Sequence, residues 1–128
     1  TYTGKQFVVV TDNGMVFSLA STDDTGDFAG IITNDAFTDV ASNQNGIVVA
    51  VTANGKIYHS SEQKTLDTSA AIYSVTDIKF NKVVWDNIGQ RFIAVGTKGV
   101  FASSANGTDW IVYTDPTKAD IQTIAVSN

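Results

Sequence analysis

The sequence predicts an all-β chain made of three antiparallel four-stranded repeats of about 42 residues. Three observations predict it. First, 15 Val, 11 Ile and 16 Thr stand against 2 Leu and a single Glu, Glu62. Side chains branched at Cβ lose rotamer freedom in a helix and fit a pleated sheet, so strong helix formers are scarce here. Second, Asn13-Gly14 and Asn54-Gly55 lie between apolar runs, which is the strongest short-range hairpin signal. Third, the chain repeats itself, and repeats decide the fold before any local pattern does.

Three segments read alike: 4–14 (GKQFVVVTDNG), 45–55 (NGIVVAVTANG) and 89–99 (GQRFIAVGTKG). Phe7, Val48 and Phe92 each precede a glycine by seven positions, and those glycines are Gly14, Gly55 and Gly99. Each unit predicts an apolar strand, a tight glycine turn and a second strand. The two Asn-Gly pairs predict type I′ turns, in which both central residues need φ > 0, and Lys98-Gly99 predicts the same less strongly. The second strands are expected at 15–18, 56–59 and 100–103. A third strand is clearest at 110–113. A further strand precedes the repeated segment, at 37–41 and again from Ile78 to Trp85.

Residues 121–128 look like that preceding strand once more, with Val126-Ser127-Asn128 matching Ala41-Ser42-Asn43. The first unit lacks such a strand, so the two ends read as complementary parts of one unit. The expected organisation is one domain, 1–128, with repeats at 1–36, 37–77 and 78–120, and 121–128 completing the unit begun at residue 1. Ile121 to Val126 and Phe7 to Val10 are expected to lie side by side, within one chain or between copies. The links are short and polar, at 21–26, 65–69 and 114–120. Met occurs only at Met15, which suggests a processed product or a piece of a longer protein.

Ser104-Ala105-Asn106-Gly107-Thr108-Asp109-Trp110 carries a recognisable turn chemistry. A short polar side chain caps the amides of its own turn, Gly takes φ > 0, and Trp packs the turn onto the sheet. The segment resembles an Asp-box, with Asn106 in place of the Asp and Gly107 one residue closer. A looser version occurs at 21–28, and 60–64 has lost it. With the strand 89–96, this unit looks like a blade of an Asp-box β-propeller. Such blades are similar to those of photosystem assembly factors, sialidases and tailed-phage virion proteins. The resemblance implies propeller-type blades. The alternative is a β-trefoil-like closure with pseudo-threefold symmetry. Ser104, Asn106, Gly107, Trp110, Gly14, Gly55 and Gly99 are expected to be structural turn residues.

Composition excludes several functions. Net charge is −5, so no basic face for nucleic acid is expected. No apolar run reaches about 18 residues, so no membrane span is expected, and no charged n-region with an h-region opens the sequence, so no signal peptide is expected. Without Cys there is no disulfide or thiolate site. A sialidase-like site needs three arginines and a Tyr–Glu pair, and Arg91 is the sole Arg. His59 is the sole His and reads as a surface-strand residue. Asp23-Asp24-Thr25-Gly26-Asp27 reads as a solvated acidic turn rather than a Ca²⁺ loop. The aromatics Tyr2, Tyr58, Tyr73, Tyr113, Trp85 and Trp110 read mainly as packing residues, though such side chains can also stack sugars.

The expected protein is therefore not an enzyme, and has no cofactor, metal or catalytic residue. An acidic, Thr- and Asn-rich chain with little Arg looks most like the phage examples. The resemblance implies a structural virion protein, in capsid decoration or the tail, whose partners are copies of itself or other virion proteins. The alternative is a glycan-binding lectin or adhesin, for which a host surface glycan would be the partner.

Overall fold

The computed structural model describes residues 6–20, 31–60, 71 and 73–127. The acidic cluster at 23–27, the loose first-unit turn, and residues 61–64 lie outside the described residues. The first sheet holds β1 (Gln6–Val10), β2 (Met15–Ala20) and β3 (Ile31–Ile32). In the second are β4 (Phe37–Ser42), β5 (Val48–Thr52), β6 (Lys56–Ser60) and β7 (Tyr73–Ser74). The third comprises β8 (Phe80–Asp86), β9 (Arg91–Gly96), β10 (Val100–Ser104) and β11 (Ile111–Thr114). Every pairing is antiparallel between neighbours in sequence. The chain is all-β, as its Val, Ile and Thr content predicts.

The hairpin turns reverse the expected preference. At Thr11–Met15 and Thr52–Lys56 only the glycine takes positive φ, at +84° for Gly14 and +76° for Gly55. The Gly14 amide donates to the Thr11 carbonyl at 3.2 Å, and the Thr11 amide donates to Met15 O at 3.0 Å. That is a three-residue loop ending in a left-handed glycine, not a two-residue type I′ turn. The threonine explains the difference. Its hydroxyl accepts the amide of Met15, or of Lys56, at 2.9 Å in each case, and donates to the Asn13 or Asn54 side chain. Asn is held by Thr and need not go left-handed. The turn with two positive-φ residues is instead Lys98-Gly99, at +55° and +68°, where Gly96 replaces the threonine.

The sheets pack face to face in chain order. β5 alternates between its two neighbours, as successive strand side chains must. Val48 and Ala50 join Val8, Val16, Phe37 and Tyr58 in a cluster with the first sheet. Val49 and Val51 join Ile57, Phe80, Val83, Phe92, Ala94, Val100, Ala102 and Trp110 in a larger cluster with the third. All five residues of β5 are fully buried. Inter-sheet hydrogen bonds fix the stacking: the Val83 amide donates to Asp39 Oδ2 at 2.9 Å, and Thr38 Oγ1 donates to Phe80 O at 2.7 Å.

Two expectations are corrected. A trefoil needs a closed barrel, but strands here pair only within their own repeat, leaving three separate sheets among the described residues. Residues 121–127 form no strand and do not pair with β1 within the chain. Ile121 is tied to the third sheet instead: its amide donates to Gly96 O at 3.0 Å and its carbonyl accepts from Asn81 Nδ2 at 2.8 Å. The stack therefore places the last segment at the opposite end from β1.

Candidate functional site

The turn after β10 is built from its own side chains. Asn106 Oδ1 accepts the amides of Thr108 and Asp109, both at 2.9 Å, and the Ser104 hydroxyl at 3.0 Å. Asn106 Nδ2 donates to Asp109 Oδ2 at 2.7 Å. Ser104 Oγ accepts the Gly107 amide at 2.9 Å, and Trp110 Nε1 donates to Gly107 O at 3.0 Å. Gly107 has φ of +80°. Asn can cap this turn in place of Asp because the job is to accept two amides, which a neutral carbonyl oxygen does. Ser104, Asn106, Gly107 and Trp110 thus form one hydrogen-bonded unit, with Trp110 in the cluster between the second and third sheets.

An open cleft lies beside this turn, lined by Arg91, Ser103, Asn106, Asp109, Trp110 and Ile111. Its ionisable groups are already engaged: Arg91 Nε lies 3.6 Å from Asp86 Oδ2, and Asp109 is held by Asn106. Only 8% of Trp110 is exposed, so its ring offers no open stacking surface to a sugar. Gly14, Gly55 and Gly99 are dispersed over the three hairpin turns and share no site with these residues.

The structure holds a second polar centre. Asp35 is buried where the first and second sheets meet. Its carboxylate accepts from Asn54 Nδ2 at 2.5 Å, from Lys56 Nζ at 2.9 and 3.0 Å, and from the Tyr58 hydroxyl. Burial alone would raise its pKa, but the hydrogen bonds from Tyr58, Asn54 and Lys56, with the Lys56 charge, hold the carboxyl below the usual carboxylate value. Burial and the facing carboxylate push the Tyr58 hydroxyl up to about 12. The group is a closed ion-pair network, its donors all directed at the Asp35 carboxylate. No sequence signal marks Asp35, because Ile78 stands two residues before Phe80 where Asp35 stands two before Phe37.

His59 lies on β6, as its sequence reading has it, and is half-buried there. It sits on the second sheet under the turn at 104–110, where a Cβ added to Gly107 would come within 2.9 Å of His59 Cδ2. Burial lowers its pKa below the ordinary imidazole value. The turn of the neighbouring sheet covers part of a side chain that β6 alone would leave at the surface.

Among the described residues no group of three or more His, Asp or Glu could hold a metal ion. No described helix is long and apolar enough to cross a membrane. No protein-family model matches the chain, and no curated protein matches its sequence.

Proposed function

We propose that this chain is a non-enzymatic structural component of a phage virion, in capsid decoration or the tail, and that it acts through protein–protein contacts. The observation that carries the reading is a contrast between two kinds of surface. The polar atoms of the turn at 104–110 and of the Asp35 centre are bound to one another, as in a scaffold. Large apolar residues meanwhile stay exposed on the outer faces of the first and third sheets, Val9 at 44% and Ile111 at 59%. Exposed apolar surface of this kind suits protein contact. On this reading the three sheets are propeller-type blades of the Asp-box kind, as the turn chemistry suggests. The acidic surface fits protein partners better than nucleic acid.

A glycan-binding role finds less support, since the Trp110 ring is covered and the Tyr58 hydroxyl is engaged by Asp35. The test is to express the chain with an affinity tag in a phage-infected culture and assay gradient-purified particles by quantitative mass spectrometry. Recovery in fixed stoichiometry with the major capsid or tail protein supports the proposal. Absence from particles, or hydrolysis of sialosides or polysaccharides by the purified chain, overturns it.

A further inference from the structure

The chain holds four Asn-Gly pairs, at 13–14, 45–46, 54–55 and 106–107, and all four lie among the described residues. Each sits in a turn between two paired strands. In each the asparagine is exposed and the glycine buried, with glycine φ between +76° and +84°. The glycine amide is engaged in every case. Gly14, Gly46 and Gly55 donate to the carbonyls of Thr11, Asn43 and Thr52 at 3.2, 3.2 and 3.4 Å, and Gly107 donates to Ser104 Oγ at 2.9 Å. Dipeptide, exposure and backbone thus leave the four pairs nearly alike.

The asparagine side chains differ, and the residue two positions earlier decides how. Thr11, Thr52 and Ser104 each donate a hydroxyl to Oδ1 of Asn13, Asn54 and Asn106. Asn54 Nδ2 also donates to Asp35 Oδ1 at 2.5 Å. Asn106 is pinned further by the amides of Thr108 and Asp109 and by its own bond to Asp109 Oδ2. Before Asn45 the equivalent position is Asn43, which has no hydroxyl to give. Asn43 Oδ1 accepts the Ile47 amide at 2.9 Å, as the threonine oxygens accept the amides of Met15 and Lys56. It also accepts the Asn45 amide at 3.0 Å. Asn43 therefore builds the same turn without holding the side chain of Asn45, which makes no hydrogen bond among the described residues.

We propose that Asn45 is a self-modification site, converted to aspartyl and isoaspartyl forms ahead of the other three asparagines. The Gly46 nitrogen gives its proton to solvent base and bonds to Asn45 Cγ. The Cγ–Nδ2 bond then breaks and the amide nitrogen leaves as ammonia, which closes a five-membered imide. Water opens the imide at either carbonyl. Opening at Cγ gives Asp in an ordinary backbone, and opening at the main-chain carbonyl gives an isoaspartyl link through Cβ and Cγ. One water enters and one ammonia leaves, with no oxidation or reduction. Glycine permits the attack because no Cβ shields its nitrogen. The side-chain amide must swing until Cγ meets that nitrogen, so an amide held by neighbours must first release them. Each hydrogen bond released slows the step by roughly two- to tenfold. Among the described residues Asn45 has none to release, Asn13 one, Asn54 two and Asn106 four. Conversion adds one negative charge to the −5 of the chain. The isoaspartyl form also adds a backbone atom to a turn whose Gln44 donates to Asn87 of the third sheet at 3.0 Å. The chemistry needs no partner chain, so it stands apart from the protein-contact reading.

The test is peptide mapping by mass spectrometry of the chain held in warm, mildly alkaline buffer, since each conversion replaces an amide NH2 by OH. At early times Asn45 is expected to convert at least about fivefold faster than Asn54 and Asn106, with Asn13 between them. In concentrated urea, where the turns are lost, the four rates are expected to converge. Asn43→Thr gives this turn the hydroxyl of the loops at 11–15 and 52–56, and is expected to slow Asn45 to the rate of Asn13. Conversion of Asn54 or Asn106 as fast as Asn45 in the folded chain overturns the proposal. So does a lead of Asn45 that persists unchanged in urea or in the Asn43→Thr variant. The ranking is read on the unmodified chain, so a variant that fails to fold does not shield the proposal.

Discussion

At Gly55 the backbone itself dictates the residue. Its φ is +76°, and a Cβ there would collide with the Val75 carbonyl oxygen of the adjoining loop. Gly55→Ala is expected to lower unfolding free energy by more than about 1 kcal/mol in urea titration, because strain and the collision add. Thr52→Val is expected to cost about 1–3 kcal/mol, since it strips the Lys56 amide of its acceptor. Trp110 tests the turn at the other side of the core. Its indole is buried and tied to Gly107 O, so Trp110→Ala is expected to cost about 3–5 kcal/mol by the same titration. The spacing of glycines and aromatics made these positions legible without a structure. The turn type was not legible, because the Thr hydroxyl competes with the Asn backbone, and the Asn-Gly pair alone does not reveal that competition.

Strand β6 and the turn that leads into β4 carry the pH behaviour. Burial keeps His59 below the 6.5 of a free imidazole, so the unfolded chain binds its proton at a higher pH than the folded chain does. Stability is therefore expected to fall as pH drops through about 6.5, and to level off once the folded form also protonates. His59→Gln is expected to flatten that part of a stability–pH curve measured by thermal unfolding. Asp35, just before β4, works in a lower window. Its carboxyl is held below 3.8 by Tyr58, Asn54 and Lys56 against the effect of burial. Its contribution is fully present above about 3.8 and is lost as pH falls through the folded value. Asp35→Ala is expected to cost about 1–3 kcal/mol at neutral pH, mainly because the Tyr58 hydroxyl is left buried without its acceptor. The half-exposed Lys56 adds little, since water takes over its charge. The strands themselves could be read from periodicity and turn glycines. This ion-pair centre could not, because it joins two repeats and recurs in neither.

For the molecule as a whole, what the sequence concealed is how the sheets stack and where the stack is left open. Repetition alone could not decide whether residues 121–126 meet β1 in their own chain, because that depends on how far each sheet rotates on the last. The resulting order makes stability unequal along the chain. The second sheet is covered on both faces, and every residue of β5 is inaccessible. Among the described residues the first sheet packs against the second through a cluster smaller than the one between the second and third sheets. Local opening follows buried contact, so amide hydrogen exchange should be slowest in β5 and β9 and faster in β1 and β2. At high dilution β1 is expected to exchange at least ten times faster than β5. Uniform exchange across the three sheets at every concentration would refute the unequal stack.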